Sequence, residues 1–222
     1  GNTGIYEFIE GGDINDAIWP LEAGNSNATR SVPTLTKVER LDIALQVATA
    51  IADMHNVDMD DRPSIAHTDI TPAQFLRTAE GKCKLTDFNR VRFLRKNMTA
   101  DSVPCSYIVG RNPGKFRSPE EYNHVQQTEK VDCYSMGNVF YSLLTEYWPF
   151  EGMDEKEAQQ KIMDGERPPI DHNIRNSSDP IDAAFIKAIS MCWRQNPEKR
   201  ATAKEVKHFL TEQIKLIEND TR

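Results

Sequence analysis

Several things are scarce in this 222-residue chain, and each scarcity excludes a class. With 11 Gly and 12 Pro it is neither collagen-like nor low-complexity. The four cysteines, Cys83, Cys105, Cys133 and Cys192, lie far apart, with no CxxC pair and no histidine at ligand spacing. That argues against a zinc site and a disulfide scaffold and makes a reduced compartment the default. Long apolar runs are missing too: Ile43–Ile51 and Val139–Leu144 fall far short of the ~20 residues that a membrane span needs. Basic charge is in deficit, with 27 Lys plus Arg against 34 Asp plus Glu and a net charge of −7. A polyanion-binding surface over the whole chain, and with it a nucleic-acid partner, is not expected. The first twelve residues lack the basic start and cleavable apolar stretch of a signal peptide. An initiating Met is also missing, and Ile5–Ile9 reads as a strand entered near its middle, so the chain is expected to begin inside a longer protein.

What remains is the composition of a globular protein, 38% hydrophobic and 27% charged, at a length that suits one large domain or two small ones. Asn27-Ala28-Thr29, Asn97-Met98-Thr99 and Asn176-Ser177-Ser178 fit the glycosylation acceptor pattern. So short a pattern often arises by chance, and an intracellular location is retained as the expectation.

After Ile5–Ile9 come a two-glycine turn, Glu10–Asp13, and a short helical stretch, Ile14–Ile18. Glu22–Pro33 is polar and Gly/Ser/Asn-rich, a surface loop. Thr36 with Glu39 three residues on forms a capping box for a helix running to about His55. Leu41, Ala44, Leu45, Ala48, Ile51 and Ala52 repeat at three and four and predict one buried stripe. Asn56–Pro63 is acidic and reads as exposed. From Ser64 to Phe93 short apolar runs broken by polar loops predict small strands, with a hairpin turning at Glu80-Gly81. Arg95–Lys115 has no periodicity, and a long irregular loop inside a domain is usually functional. Beyond Lys130 the pattern is helical. Val131–Tyr147 is apolar nearly all round and therefore central, while Glu155–Asp164, Ile181–Arg194 and Thr202–Ile217 are amphipathic. Proline punctuates them at Pro149, Pro168-Pro169 and Pro197. No internal repeat is visible, and the fold class expected is mainly α (α+β).

One ordered constellation carries chemistry. His67-Thr68-Asp69-Ile70-Thr71-Pro72-Ala73-Gln74 is followed by Asp87-Phe88-Asn89, thirteen residues after Gln74. Then come Ser118-Pro119-Glu120, Val131-Asp132-Cys133-Tyr134-Ser135-Met136-Gly137, and finally Cys192-Trp193 leading to Arg200. Together they resemble the C-terminal lobe of eukaryotic protein kinases: catalytic loop, metal-binding DFG, the APE that closes the activation segment, a central helix with a buried Asp, and a late Cys-Trp…Arg motif. Each motif is weak alone, but five in order are a strong signal. The resemblance spans essentially the whole chain. It implies a hinge at 1–12, catalytic and metal-binding loops at 64–93 and an activation segment at 87–120, all within one partial kinase domain over 1–222.

By that resemblance Asp69 accepts or orients the substrate hydroxyl proton and Asp87 holds Mg²⁺. Gln74 stands at the second metal-ligand position, where kinases usually have Asn. Its amide oxygen is kept but sits one methylene further out, and octahedral Mg²⁺ tolerates misplacement poorly. Glu7 and Ile9 offer hinge backbone groups to adenine, Tyr6 is the bulky residue behind it, and Asp13 lies near the ribose. Asp132 accepts backbone N–H groups of the catalytic loop, Glu120 and Arg200 form a buried ion pair, and His67 organises its loop. Trp193 reads as core packing. The partners implied are ATP and a protein substrate or signalling partner.

The departures matter as much. Thr68 stands where kinases usually have the Arg that pairs with a phosphorylated activation loop. This argues against switching by that route, although Thr99, Ser102, Ser106 and Tyr107 are available. Thr71 and Ala73 replace the catalytic-loop Lys of serine/threonine kinases and the Arg of tyrosine kinases, so this loop brings no cation to the transferring phosphoryl group. Asn89 replaces the Gly of DFG and, as the least penalised non-Gly residue at positive φ, is expected to keep the turn. Gly1–Gly4 is not a phosphate-binding Gly-rich loop, and the smaller lobe with its strand Lys is absent.

The leading expectation is thus a protein kinase domain, transferring the ATP γ-phosphoryl group to a Ser/Thr or Tyr hydroxyl but incomplete as this chain. Gly11-Gly12-Asp13-Ile14 and Cys192-Trp193 give it a tyrosine-kinase-like or tyrosine kinase flavour. Its expected place is the cytoplasm, free or as part of a larger, receptor-like protein. A pseudokinase scaffold is the second reading, resting on Thr68, Thr71 and Gln74. A helical interaction domain unrelated to kinases is the third, and it leaves the ordered motifs unexplained.

Overall fold

The computed structural model describes residues 7–19, 35–58, 62–94, 106–110 and 112–220. Tyr6, the expected loop Glu22–Pro33, Thr99, Ser102 and Cys105 lie outside the described residues, as do the acceptor patterns at Asn27 and Asn97.

Helices dominate, as the mainly α expectation required. They are α1 (Ile14–Ile18), α2 (Lys37–His55), α3 (Pro119–Tyr122), α4 (Lys130–Thr145), α5 (Glu155–Met163), α6 (His172–Arg175), α7 (Pro180–Cys192) and α8 (Ala203–Asp220). Among the described residues four short strands, β1 (Ile65–Ala66), β2 (Phe75–Arg77), β3 (Cys83–Leu85) and β4 (Arg92–Phe93), make two separate antiparallel pairs, β1 with β4 and β2 with β3.

The core forms around α4, whose residues from Val131 to Leu143 are buried without a break. No polar face remains, so α4 must be enclosed on all sides. α2 and α7 pack against it, and α8 closes over α2 and α7. α2 begins at the predicted capping box: the Glu39 carboxylate accepts from Thr36 N–H at 2.7 Å and Thr36 Oγ1 accepts from Glu39 N–H at 3.2 Å. Gly137 is the contact point of α4 with the end of α7, because a Cβ there would stand 2.6 Å from Cys192 Cβ and 2.8 Å from the Trp193 ring. Trp193 itself is nearly buried, 5.7 Å from the Tyr141 ring.

The β2–β3 hairpin lies on α2 and α1. It turns at Glu80-Gly81 as the sequence implied. Its register opposes Phe75 to Leu85, and Thr86 N–H donates to Gln74 O at 2.9 Å, one step further along.

Two local expectations need correction. Glu7–Ile9 is not a strand, having no ladder partner among the described residues. The chain is tied just after it instead, where Gly11 N–H donates to Arg77 O and Arg77 N–H to Gly12 O. Gly11 is needed for that approach, since a Cβ would fall 2.3 Å from Arg77 O. Nor does Asn89 take positive φ. The left-handed residue of this turn is Asp87 at φ +59°, and Phe88–Arg90 follows as a right-handed 3₁₀ turn. The reversal is made two residues earlier than the glycine analogy suggested.

Candidate active site

Two loops meet at one end of the helical body, the one after β1 and the one after β3. The Asp132 carboxylate, buried at the start of α4, orders the first. Its Oδ1 accepts from Thr68 N–H and its Oδ2 from His67 N–H, both at 2.7 Å, and His55 Nε2 stands 2.9 Å from Oδ2. Such charge-assisted bonds are roughly twice as strong as neutral ones and bring three chain segments to one point. Thr68 needs that hold. It sits at φ +65°, a costly region for a β-branched residue.

Cross-bonds then tie the two loops together. Thr68 Oγ1 donates to Arg90 O at 2.8 Å, and His67 Nε2 stands 2.9 Å from Thr86 O. His67 is fully buried, its ring edge-on to Phe88 at 5.4 Å. Both functional candidates, Asp69 and Asp87, therefore extend from a backbone clamped on either side.

Asp69 is partly exposed, and its carboxylate is not alone. Arg117 Nη2 donates to its Oδ1 at 2.7 Å, and Arg90 Nη1 approaches the same oxygen at 3.5 Å. Arg117 is buried and also donates to Thr68 O at 2.7 Å and Pro113 O at 3.1 Å. Glu121 lies behind it, with Oε1 at 3.5 Å and Oε2 accepting from Ser118 N–H at 2.8 Å. Burial pushes the Glu121 carboxyl up to about 7, against the lowering pull of the Ser118 bonds and of Arg117.

Asp87, Glu7 and Ile9 line one cavity of about 440 Å³, whose walls include Leu76, Lys84, Leu85, Phe88 and Asn89. Apolar Ile9, Leu76 and Leu85 suit a flat ring, and Asp87 puts a carboxylate at the polar side. Lys84 Nζ donates to Glu7 Oε2 at 2.5 Å, and Asn89 Nδ2 to Asp87 Oδ1 at 2.5 Å. Gln74 lies outside this wall, half-buried, at the end of the 3₁₀ turn just before β2, where its carbonyl accepts from Thr86 N–H. Asp13 is also outside it, its Oδ1 accepting from Asp16 N–H at 2.9 Å as the cap of α1. Among the described residues no three His, Cys, Asp or Glu side chains cluster as ligands. A hard cation here would take one carboxylate, an amide oxygen at most, and the rest of its shell from phosphate and water, which is how Mg²⁺ is usually held.

Glu120 and Arg200, neither of which lines this cavity, meet Nη1 to Oε1 at 2.6 Å and Nη2 to Oε2 at 3.0 Å, with both side chains buried. Arg200 also donates to Lys130 O at 2.6 Å and Arg194 O at 3.0 Å, so this pair anchors α3 to the segment before α8.

Sequence reasoning missed His55, Arg90 and Arg117. His55 was detectable as a polar residue ending the buried stripe of α2. Arg117 left only an indirect signal, a basic residue directly before Ser118-Pro119-Glu120 in a chain whose catalytic loop lacks a cation.

The family model described as "Protein kinase domain" matches residues 5–210. A Dictyostelium discoideum protein named as a serine/threonine-protein kinase is 28% identical over 214 residues, 91% of this chain and 21% of that protein. An Acanthamoeba polyphaga mimivirus protein named as a serine/threonine-protein kinase/receptor is 32% identical over 186 residues, 82% of this chain and 10% of its own length. The wall-associated receptor kinase-like 20 of Arabidopsis thaliana is 28% identical over 214 residues, 91% of this chain and 31% of that protein. The chain thus spans from a tenth to about a third of these relatives.

Proposed function

The chain belongs to the protein kinase family, and from that premise we propose that it is the hinge and larger lobe of a phosphotransferase moving the ATP γ-phosphoryl group to a protein hydroxyl. The observation that carries this is the double clamp on the two aspartates. Asp132 holds the loop of Asp69, and the bonds from Thr68 to Arg90 and from His67 to Thr86 hold the loop of Asp87 against it. Phosphoryl transfer asks a protein for positioning and charge stabilisation more than for covalent chemistry, and this arrangement supplies positioning.

In this reading adenine enters the 440 Å³ cavity beside Ile9, Leu76 and Leu85, with the backbone around Glu7 and Ile9 as hinge. Asp69 receives or orients the proton of the acceptor hydroxyl. Asp87, with Gln74 as second oxygen donor, would hold magnesium, which neutralises charge on the β- and γ-phosphates when bound. Asp13 caps α1 through Oδ1 and would meet the ribose through its other carboxylate oxygen. Residues 87–120 form the activation segment. Thr68 replaces a charged latch there by one neutral bond, so the segment is set without a phosphorylated residue on that path.

Phe8 is 84% exposed and Phe88 49% exposed, both beside the open cavity. This supports a second lobe, encoded before this chain, that closes the nucleotide site. The Gly11-Gly12-Asp13-Ile14 and Cys192-Trp193 motifs favour the tyrosine-kinase-like and tyrosine kinase groups, while the relatives above are named for serine/threonine specificity or as receptor kinases. A cytoplasmic position in a larger protein fits the receptor-named relatives. Among the described residues no helix is long and apolar enough to cross a membrane.

One observation favours a second reading, a nucleotide-independent scaffold: the Asn89 amide occupies an Asp87 oxygen, and Gln74 stands outside the cavity wall. The deciding experiment compares Mg²⁺-dependent protein phosphorylation by the full-length protein and by these 222 residues alone. Labelled product from the full-length protein only is expected. Product from the chain alone removes the two-lobe argument, and product from neither leaves the scaffold.

A further inference from the structure

The catalytic loop offers no cation, with Thr71 and Ala73 at the positions where one would stand. Yet the Asp69 carboxylate is met by two guanidinium groups that come from outside that loop. Arg90 follows the Asp87 turn, and Arg117 immediately precedes α3. Both approach Oδ1, so the arrangement leaves Oδ2 as the face on which a substrate hydroxyl can be received.

Of the two, Arg117 is built in. It is 7% exposed, and its guanidinium is shared among a carboxylate, two main-chain carbonyls and Glu121. A planar fork satisfies two acceptors at fixed angles, which a Lys ammonium cannot do. Here Nη1 takes the Thr68 carbonyl while Nη2 takes the Asp69 carboxylate, at 2.7 Å each. One residue thereby fixes both the peptide before Asp69 and the side chain of Asp69. Arg90 is 42% exposed along its side chain, bonds Asn112 Oδ1 at 3.3 Å, and sits 3.5 Å from Asp69.

We propose that Arg117 is the positioning residue of Asp69, holding its carboxylate from the end of the activation segment while the catalytic loop has no cation of its own. This rests on the kinase reading of the site. In the transfer step the acceptor oxygen forms a bond to the γ-phosphorus of ATP, the bond from that phosphorus to the β,γ-bridging oxygen breaks, ADP departs and the hydroxyl proton passes to Asp69. Arg117 does not touch the phosphoryl group. It holds Oδ1 so that Oδ2 faces the hydroxyl, and it couples that orientation to the ordering of Pro113–Glu121. The order of this segment and the readiness of Asp69 are then one event, without a phosphate between them.

The test uses the full-length protein with R117Q, R117K, D69N and the double variant R117K/A73R, following kcat, KM for ATP and thermal unfolding. Ala73 is exposed and stands four residues after Asp69, so an Arg there brings a cation to the loop itself. R117Q is expected to lower kcat about a hundredfold, as loss of one preorganised polar group does, and R117K about tenfold. KM for ATP should stay within about threefold, since the lost interaction does not bind nucleotide. A73R should recover most of the rate in the R117K background, which a purely structural defect would not allow. Wild-type kcat in R117K overturns the assignment, as does a loss that follows a fall in Tm and is not restored by A73R. D69N is expected to be inactive. If it matches wild type instead, the kinase reading of the site fails, whatever Arg117 does.

Discussion

Asp132 shows how much one buried carboxylate organises. It replaces the water that His67 N–H and Thr68 N–H would otherwise need and holds Thr68 in a conformation that its β-branched side chain disfavours. Asp132→Asn keeps the size but turns one acceptor into a donor that faces an N–H. We expect a loss of about 1.5–3 kcal/mol in denaturant unfolding, the range for hydrogen bonds to charged groups. Glu121 gives a second test, in pH. Its carboxyl titrates at about 7 in the folded chain against 4.5 when free, because burial penalises the charged form. Its contribution to stability is therefore complete below about 4.5 and is lost as pH rises through 7. The difference is on the order of 3 kcal/mol. Glu121→Gln keeps the capping acceptor without the charge. Wild-type stability should thus fall relative to the variant between pH 4.5 and 8, measured by urea unfolding at each pH. A constant difference across that range would contradict the buried-carboxylate account.

Among the elements, α4 carries the packing argument and Gly137 its sharpest test. Alanine usually favours a helix by up to about 1 kcal/mol over glycine. Here the added Cβ would meet Cys192 Cβ, which is fixed to the backbone of α7 and cannot swing away. Overpacking should win, so Gly137→Ala is expected to destabilise by about 1–3 kcal/mol in equilibrium unfolding. The helices were legible in the sequence because periodicity and caps act locally: α2 and the β2–β3 hairpin fall where Thr36, Glu39 and Gly81 put them. Asn89 was misjudged for an equally physical reason. Which residue of a tight turn takes positive φ depends on the loops clamped around it, and His67 and Thr68, some twenty residues away, decide that the reversal falls on Asp87. The same limit hid Arg117, whose partners Thr68 and Asp69 lie 49 and 48 positions off.

Across the whole molecule, long-range ion pairs join what the helices alone leave separate. Glu120 and Arg200 are 80 positions apart and both buried. Glu120→Ala leaves Arg200 with main-chain carbonyls and the Tyr134 ring but no counter-charge, and breaking a buried pair from one side costs about 3–5 kcal/mol. We expect that loss in thermal or chemical unfolding. The ordered motifs made the protein kinase family readable from sequence, whereas the cavity wall and the two-arginine approach to Asp69 required the folded chain. The central claim is that Asp69 and Asp87 together carry phosphoryl transfer, and the most direct measurement is the rate of γ-phosphoryl transfer from ATP by full-length wild type, Asp69→Ala and Asp87→Ala. The account predicts transfer by wild type and a fall of at least about a hundredfold in each variant. Equal rates in all three would contradict it.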